Sequence, residues 1–378
     1  MNKLKVVLIL AFQAMILTAV TLFCVVPFSC KLTEEGIVFV GGDYNAPVIE
    51  TVDVIDDRTV CINFSEGVKI SSVVVSKMVE DISDSMEHSS TVDISPSLAA
   101  ACGEYGTVNA STIVSEDGTR VTFAMEVACE IGVSYEIYGV VEDKTGNTLS
   151  FCVPFIGYNS RLPKVIMTEI LVKYGTGTVK KETVYRNEFV ELLALTDGNL
   201  AGIEIVSGSD GENKKYEIPP VEVTAGEVIL VHLRTTGEGC ISETDDLNEA
   251  TAPHSCQNVL DLWSENTAAC LNDKNDVIIL RNGPENKIVD AFMYAEEAAT
   301  EWKKGALTFA EAACEAGIYE TADITEACSS KGVSPLQSFQ RKNANELKAA
   351  ALDGTLEEYP VKNSAEFWKV ASAKPGEL

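Results

Sequence analysis

Side chains that could exchange protons, attack a carbonyl or hold a metal are few in this chain of 378 residues, and they are poorly aligned. There are three histidines: His88, His232 and His254. His88 stands in an acidic stretch, His232 in the run VILVHL, which reads as a strand, and His254 in a long polar connection. None has the HExxH spacing that puts two imidazoles on one helical face. The triplet His254-Ser255-Cys256 sets a base, a hydroxyl and a thiol side by side, but no acidic or glycine-rich elbow frames it. Carboxylates gather in SETDDLNE, with Glu243, Asp245 and Asp246, and further on at Asp273 and Asp276. Calcium wants about six oxygens, drawn from alternating acidic positions around a glycine turn. Neither cluster has that order, so both read as solvated loop. Glu188 reads as a strand-edge residue and Glu191 as one that ties an adjacent turn by hydrogen bonds. Asp143 and Asn147 flank a turn that their side chains cap. Glycine-rich phosphate loops are missing, and Lys and Arg do not interleave with aromatics as a nucleic-acid platform requires. No catalytic, cofactor-binding or metal-ligating residue is assigned, and no cofactor is expected.

These residues must be positioned by strands. Phe189, Glu191 and Leu193 alternate with Val190, Leu192 and Ala194, and the run closes on the turn Thr196-Asp197-Gly198-Asn199. VILVHL, Val228 to Leu233, is apolar on both faces and is expected to be a central strand. Upstream, Val60, Ile62 and Phe64 share one face of a strand. Val121, Phe123 and Met125 share another, after the hairpin signal Ser115-Glu116-Asp117-Gly118. Tyr135, Ile137 and Gly139 share a third. The polar segment Val79 to Ala101 reads as a long loop. Two segments depart from compact β-structure. One is a polar connection from Gly237 to Asn275, expected to be functional or disordered. The other, Ala295 to Lys331, is rich in alanine and glutamate, with Leu307, Ala310 and Cys314 at helical spacing; a helix on one edge of the sandwich is expected there.

The N-terminal segment places residues 31–378 outside the cytoplasm. Met1-Asn2-Lys3-Leu4-Lys5 precedes an uncharged run from Val6 to Phe28, which is an export signal and is also long enough to cross a bilayer. Pro27-Phe28-Ser29-Cys30 resembles a bacterial lipobox. Ser29 fits it and Pro27 departs from its leucine. The resemblance implies lipid attachment at Cys30, against the alternatives of an uncleaved anchor or free secretion. The net charge is −28, with 57 acidic residues against 29 basic. Such a surface repels nucleic acid, and none is expected as a partner. The eleven cysteines suit an oxidising compartment, yet none are spaced as CxxC, so a zinc knuckle or thioredoxin-like motif has no support. Cys314 and Cys328 stand where they could close a loop around the expected helix.

Two family resemblances follow. INFSEGV, SEDGTRVTFAMEV and GVSYEIYGVVEDKTGNTL together resemble the S-layer-type bacterial Ig-like domain, over about Ala46 to Gly157. This implies a seven-stranded sandwich used as a spacer or binding module. KVIMTEILV, RNEFVELLAL, LAGIEIVSG, KKYEIPPVEVTAGEVILVHL, DVIILRNGPENKIVDAFMY, SFQRKN and FWKVASAKPGEL, in that order, resemble the bacterial lamin-tail domain over Pro163 to Leu378. This implies an immunoglobulin-like sandwich and, in bacteria, the company of nuclease or phosphatase modules.

The organisation expected is therefore an export segment over 1–30, a tether over 31–45, an Ig-like domain over 46–157, a linker over 158–162, and a lamin-tail-like sandwich over 163–378 with insertions at 237–275 and 295–331. The fold class is all-β: two tandem Ig-like β-sandwiches, the second with a helical insertion. The expected role is non-catalytic, a binding or spacer module at the cell envelope. Its partners are the membrane, through the N-terminal lipid or anchor, and an unknown protein or glycan. An extracytoplasmic hydrolase, or the accessory domain of one, and an adhesin for host protein or glycan are the alternatives.

Overall fold

The structure is a computed structural model that describes residues 28–33, 36–41, 45–78, 106–283, 285–303 and 305–378, with side chains from residue 45 onward except at 179 and 182–185. The export segment up to residue 27, Cys24, the loop Val79–Ala101 with His88, and Cys102 lie outside the described residues. Cys30 falls in the short hairpin of β1 (Phe28–Thr33) and β2 (Gly36–Gly41), opposite Phe39.

The chain divides into two compact units, 1–158 and 159–378. In the first, β3 (Ile49–Val54), β4 (Thr59–Phe64), β7 (Ala110–Val114) and β8 (Arg120–Met125) form a sheet in the order β3-β4-β8-β7. It faces a second sheet of β5 (Lys69–Lys77), β6 (Gly106–Val108), β9 (Ser134–Glu142) and β10 (Thr148–Ile156), ordered β10-β9-β5-β6. The alternation seen in the sequence decides which face is buried. Val60, Ile62, Phe64, Val121, Phe123 and Met125 meet Tyr135, Ile137, Val153 and Phe155 in one core. Among the described residues the sandwich has eight strands, where seven were expected, and the edge position beside β5 is taken by the short β6. Gly139 is required by its neighbour across the ladder: a Cβ there would lie 2.4 Å from the Phe151 ring. Asp143 caps its turn as expected, accepting from the amides of Thr145 and Asn147 at 2.7 and 2.8 Å. Burial would raise its carboxyl, but the Asn147 and Thr145 donors win and bring it down to about 2.

The second unit is a larger sandwich. Its six-stranded sheet runs β20 (Leu260–Trp263), β19 (Val228–His232), β14 (Phe189–Ala194), β11 (Val165–Leu171), β24 (Gln337–Arg341) and β25 (Trp368–Ser372). Its five-stranded sheet runs β17 (Tyr216–Glu217), β16 (Ile203–Ser207), β21 (Asp276–Asn282), β22 (Lys287–Ala295) and β23 (Cys328–Ser329). Between them Val190, Leu192, Ile229 and Val231 pack on Ile205, Ile278, Leu280, Phe292 and Tyr294, with Phe339 and Trp368 closing the aromatic centre. Small hairpins, β12–β13 (Gly175–Val179 and Glu182–Arg186) and β15–β18 (Gly198–Asn199 and Glu222–Val223), decorate this frame. The fold class is all-β, two β-sandwiches, with helix among the described residues confined to short segments.

Several expectations need correction. The helix α1 (Ala306–Glu315) lies on the outer face of the five-stranded sheet, not on an edge. It buries Ala306, Ala310 and Ala313 against Val206, Val277, Ile279 and Met293, while Leu307 points to solvent. Small alanines let the helix lie close to the strands, which leucine would prevent. A second helix, α2 (Ala344–Leu352), covers Ile166, Leu193 and Leu195 on the outer face of the other sheet. Cys314 and Cys328 do not close a loop: both are free thiols on opposite faces of the five-stranded sheet, Cys314 in α1 and Cys328 in the inter-sheet core. Cys61, Cys129, Cys152, Cys240, Cys256 and Cys270 are free as well. The connection 237–275 is not a wholly irregular stretch: it supplies β20, which pairs in parallel with β19 and buries Asp261, Leu262 and Trp263, while residues such as Asp245 and Asp246 stay exposed.

Candidate functional site

The residues with chemical potential converge on the outer face of the six-stranded sheet, under the 240–260 segment and the C-terminal tail. Alternation places Glu191 and Phe189 of β14, Glu169 of β11, Leu230 and His232 of β19, and Asp261 and Trp263 of β20 on this face. A row of carboxylates on an open sheet face would be solvated. Here it is covered, and each is 2% exposed or less.

What each group does is set by its partners. Glu191 accepts from the Thr168 hydroxyl at 2.7 Å and from the Gly376 amide at 2.7 Å. Its ladder neighbour Glu169 accepts from the Ser338 hydroxyl at 2.5 Å and from the Lys374 amide at 2.9 Å. Two buried carboxylates therefore hold the tail across the sheet by its backbone. Burial pushes the Glu191 carboxyl up to about 8, and Glu169 shifts the same way, because the low-dielectric site disfavours charge more than the donors favour it.

Further along, His232 stacks on Trp263 with ring centroids 3.7 Å apart, and its Nε2 lies 3.3 Å from Asp261 Oδ1. Asp261 also accepts from the Cys256 amide at 2.7 Å, and its own amide donates to Glu243 at 3.0 Å. Glu243 takes a second bond from the Ala250 amide. These carboxylates are bound to backbone, not aimed at an empty space.

A thiol, two imidazoles and several carboxylates in one neighbourhood invite a nucleophile or metal reading, and the geometry answers both. The Cys256 thiol points at the Pro375 carbonyl, 3.4 Å away, and burial pushes it up to about 12, so it is a thiol and not a thiolate. His254 has no hydrogen bond from either ring nitrogen among the described residues, and burial brings it down to about 4. Among the described residues the hydrogen-bond partners of the thiol are the carbonyls of His254 and Pro375, not a base. Among the described residues no three His, Cys, Asp or Glu side chains are grouped to hold a metal.

The sequence-stated candidates thus part company. His232, His254, Cys256, Glu243 and Glu191 come together; Asp245 and Asp246 stay exposed on a groove of about 430 Å³. Asp276 belongs elsewhere, fixing the Ser207 hydroxyl and the Ser209 amide at the start of β21. Asp273 stays on the 269–273 turn, beside the Glu188 depression. Glu188 is not an edge residue: it is buried, accepts from the amides of Cys270 and Leu271 at 3.3 Å each, and is pushed up to about 7 by burial. Glu191 ties not the adjacent turn expected of it but the turn at Gly376, 185 residues away. Sequence reading missed Glu169, Asp261 and the pair Asp290–Arg341. Asp290 reaches between the sheets from β22, accepting from the Met167 amide at 2.7 Å and lying 3.3 Å from Arg341. An acid inside an otherwise apolar strand, as in IVDAFMY, was the available signal.

Residues 163–370 match the model of a family described as TP_1001_2nd, protein second domain. The chain belongs to this family. The family domain covers all of both sheets of the second unit except the last strand residues and the tail. A relative from Treponema pallidum (strain Nichols), named as an uncharacterized protein, is 27% identical over 176 residues, or 46% of this chain. The chain spans 42% of that relative's length. Among solved structures, the N-terminal part of the bacterial S-layer protein SbsC aligns at 15% identity and TM-score 0.23, over 49% of this chain and 40% of its own. A DUF4876 family protein from Bacteroides thetaiotaomicron VPI-5482 aligns at 11% identity and TM-score 0.25, over 72% of this chain and 82% of its own. The fold is accordingly read from this chain's own sheets. No helix among the described residues is long and apolar enough to cross a membrane.

Proposed function

We propose that this is an exported envelope protein, held at the membrane through its N-terminal segment, that works as a non-catalytic binding or spacing module. The first unit is read as an S-layer-type Ig-like domain and the second as a lamin-tail-like domain bearing the family sequence. One observation carries the reading. The groups fit for proton transfer or nucleophilic attack are buried and spent on backbone: Glu169 and Glu191 on the tail, Asp261 and Glu243 on the 250–261 segment. A general base must reach a proton on a substrate, and these reach only the protein itself.

The anchor is tested by mass spectrometry of the native N-terminus. A diacyl- or triacyl-modified Cys30 is expected, whereas an unmodified N-terminus generated by cleavage elsewhere defeats the lipid assignment. The module reading is tested by nuclease and phosphatase assays with and without divalent metal. Reproducible turnover overturns it.

A further inference from the structure

Two depressions in the second unit adjoin through a shared wall of Ala269, Leu271 and Asn272. One, of about 410 Å³, is lined by Lys173, Tyr174, Glu188, Arg234 and the exposed carboxylate of Asp273. The other, of about 460 Å³, is lined by Asp210, Lys214 and Lys303. Together they have the size of a small-ligand site. Their electrostatics differ from those of the rest of a chain carrying −28. Lys214 is neutralised by Asp210 at 2.8 Å, but Lys173, Arg234 and Lys303 have no ion-pair partner among the described residues. Arg234 is pre-positioned. Its Nε donates to the Thr267 carbonyl at 3.1 Å and its guanidinium lies 4.0 Å over the Tyr174 ring, leaving its remaining donors for a ligand. Tyr174 is 42% exposed, so part of its ring is open beside those cations. Burial pushes Glu188 up to about 7, so it opposes an anion less than a fully ionised carboxylate does. Among the described residues Asp273 is the one exposed acid beside the three cations, which outnumber it.

We propose that this double cleft binds an acidic oligosaccharide, its carboxylate or sulfate groups on Arg234, Lys173 and Lys303 and a sugar C–H face against Tyr174. Cations with a planar fork recognise such groups bidentately, and an amphipathic ring suits a ligand with one apolar and one hydroxylated side. This rests on the binding-module reading and names its ligand class.

Titration calorimetry of the full chain at low salt is the test, with three probes: a sulfated heparin-derived hexasaccharide, an oligogalacturonate and neutral maltohexaose. The acidic probes are expected to bind and the neutral one not, and the arm that binds tighter tells sulfate from carboxylate. Arg234→Ala is expected to weaken binding about tenfold, as loss of one charge-assisted contact does. Tyr174→Ala and a Lys173→Ala/Lys303→Ala double variant are expected to weaken it in the same direction, and Lys369→Ala, on β25, to leave it unchanged. An unaltered thermal midpoint shows that each variant folds. Binding by neither acidic probe, binding unchanged in Arg234→Ala and the lysine pair, or equal binding of maltohexaose overturns the proposal. Reducing ends released from a bound probe would instead overturn the non-catalytic reading and leave the ligand assignment standing.

Discussion

Buried carboxylates and imidazoles in the second unit give its stability two opposed pH limbs. Glu191 titrates at about 8 in the fold against 4.5 ordinarily, so between those values the folded chain keeps a proton that the unfolded chain has lost. Its contribution is full below 4.5 and disappears as pH rises through about 8. Glu188, at about 7, acts in the same direction over a narrower window. His254 does the reverse. Its ring is neutral down to about 4 against 6.5 ordinarily, so its contribution is full above 6.5 and fades as pH falls towards 4. Each displaced pKa unit is worth about 1.4 kcal/mol. Urea titrations across this range should therefore show Glu191→Gln flattening the alkaline limb and His254→Leu flattening the acid limb. His254→Leu should also cost little at neutral pH, because the ring nitrogens it removes have no partner among the described residues. An acid limb that persists in His254→Leu would reassign it to His232. Asp290→Ala is a harsher change. It leaves Arg341 buried and the Met167 amide unpaired, and should cost about 3–5 kcal/mol.

At the scale of elements, the tail and α1 are two of the covers of this sandwich, and each rests on small residues. Gly376 adopts φ +84°, and a Cβ there would lie 2.8 Å from Val259 Cγ2. Gly376→Val should lift the tail from Glu191 and expose residues 373–378 to protease; limited proteolysis at an unchanged rate would show that the tail tolerates the branch. Ala310 is fully buried where α1 meets the sheet. Ala310→Leu should cost about 1–3 kcal/mol by overpacking, whereas Leu307→Ala, on the exposed face, should leave the urea midpoint nearly in place.

For the whole molecule, the division at residue 158 predicts two calorimetric transitions, since each unit has its own core. Asp290→Ala should lower only one of them, that of the second unit. A single transition lowered as a whole by this substitution would mean that the units melt as one.

The chain order of residues determined the strands and their buried faces. Phe64, Val121, Phe123, Ile137, Val190 and Leu192 all alternate with period two, and all face a core. Alternation reports such contacts because a pleated strand offers side chains only two directions. The cap at Asp143 was legible for a similar reason, its donors lying within four residues. The same alternation could say that Glu191 and His232 share a face, but not that the face is covered. Its covers, the 240–261 segment and Lys374–Gly376, come from as far as 205 residues away along the chain. Only the folded arrangement turns an apparently solvated row of acids into a clamp on backbone amides, because desolvation and hydrogen-bond geometry depend on what packs above a sheet and not on the strand that carries the side chain.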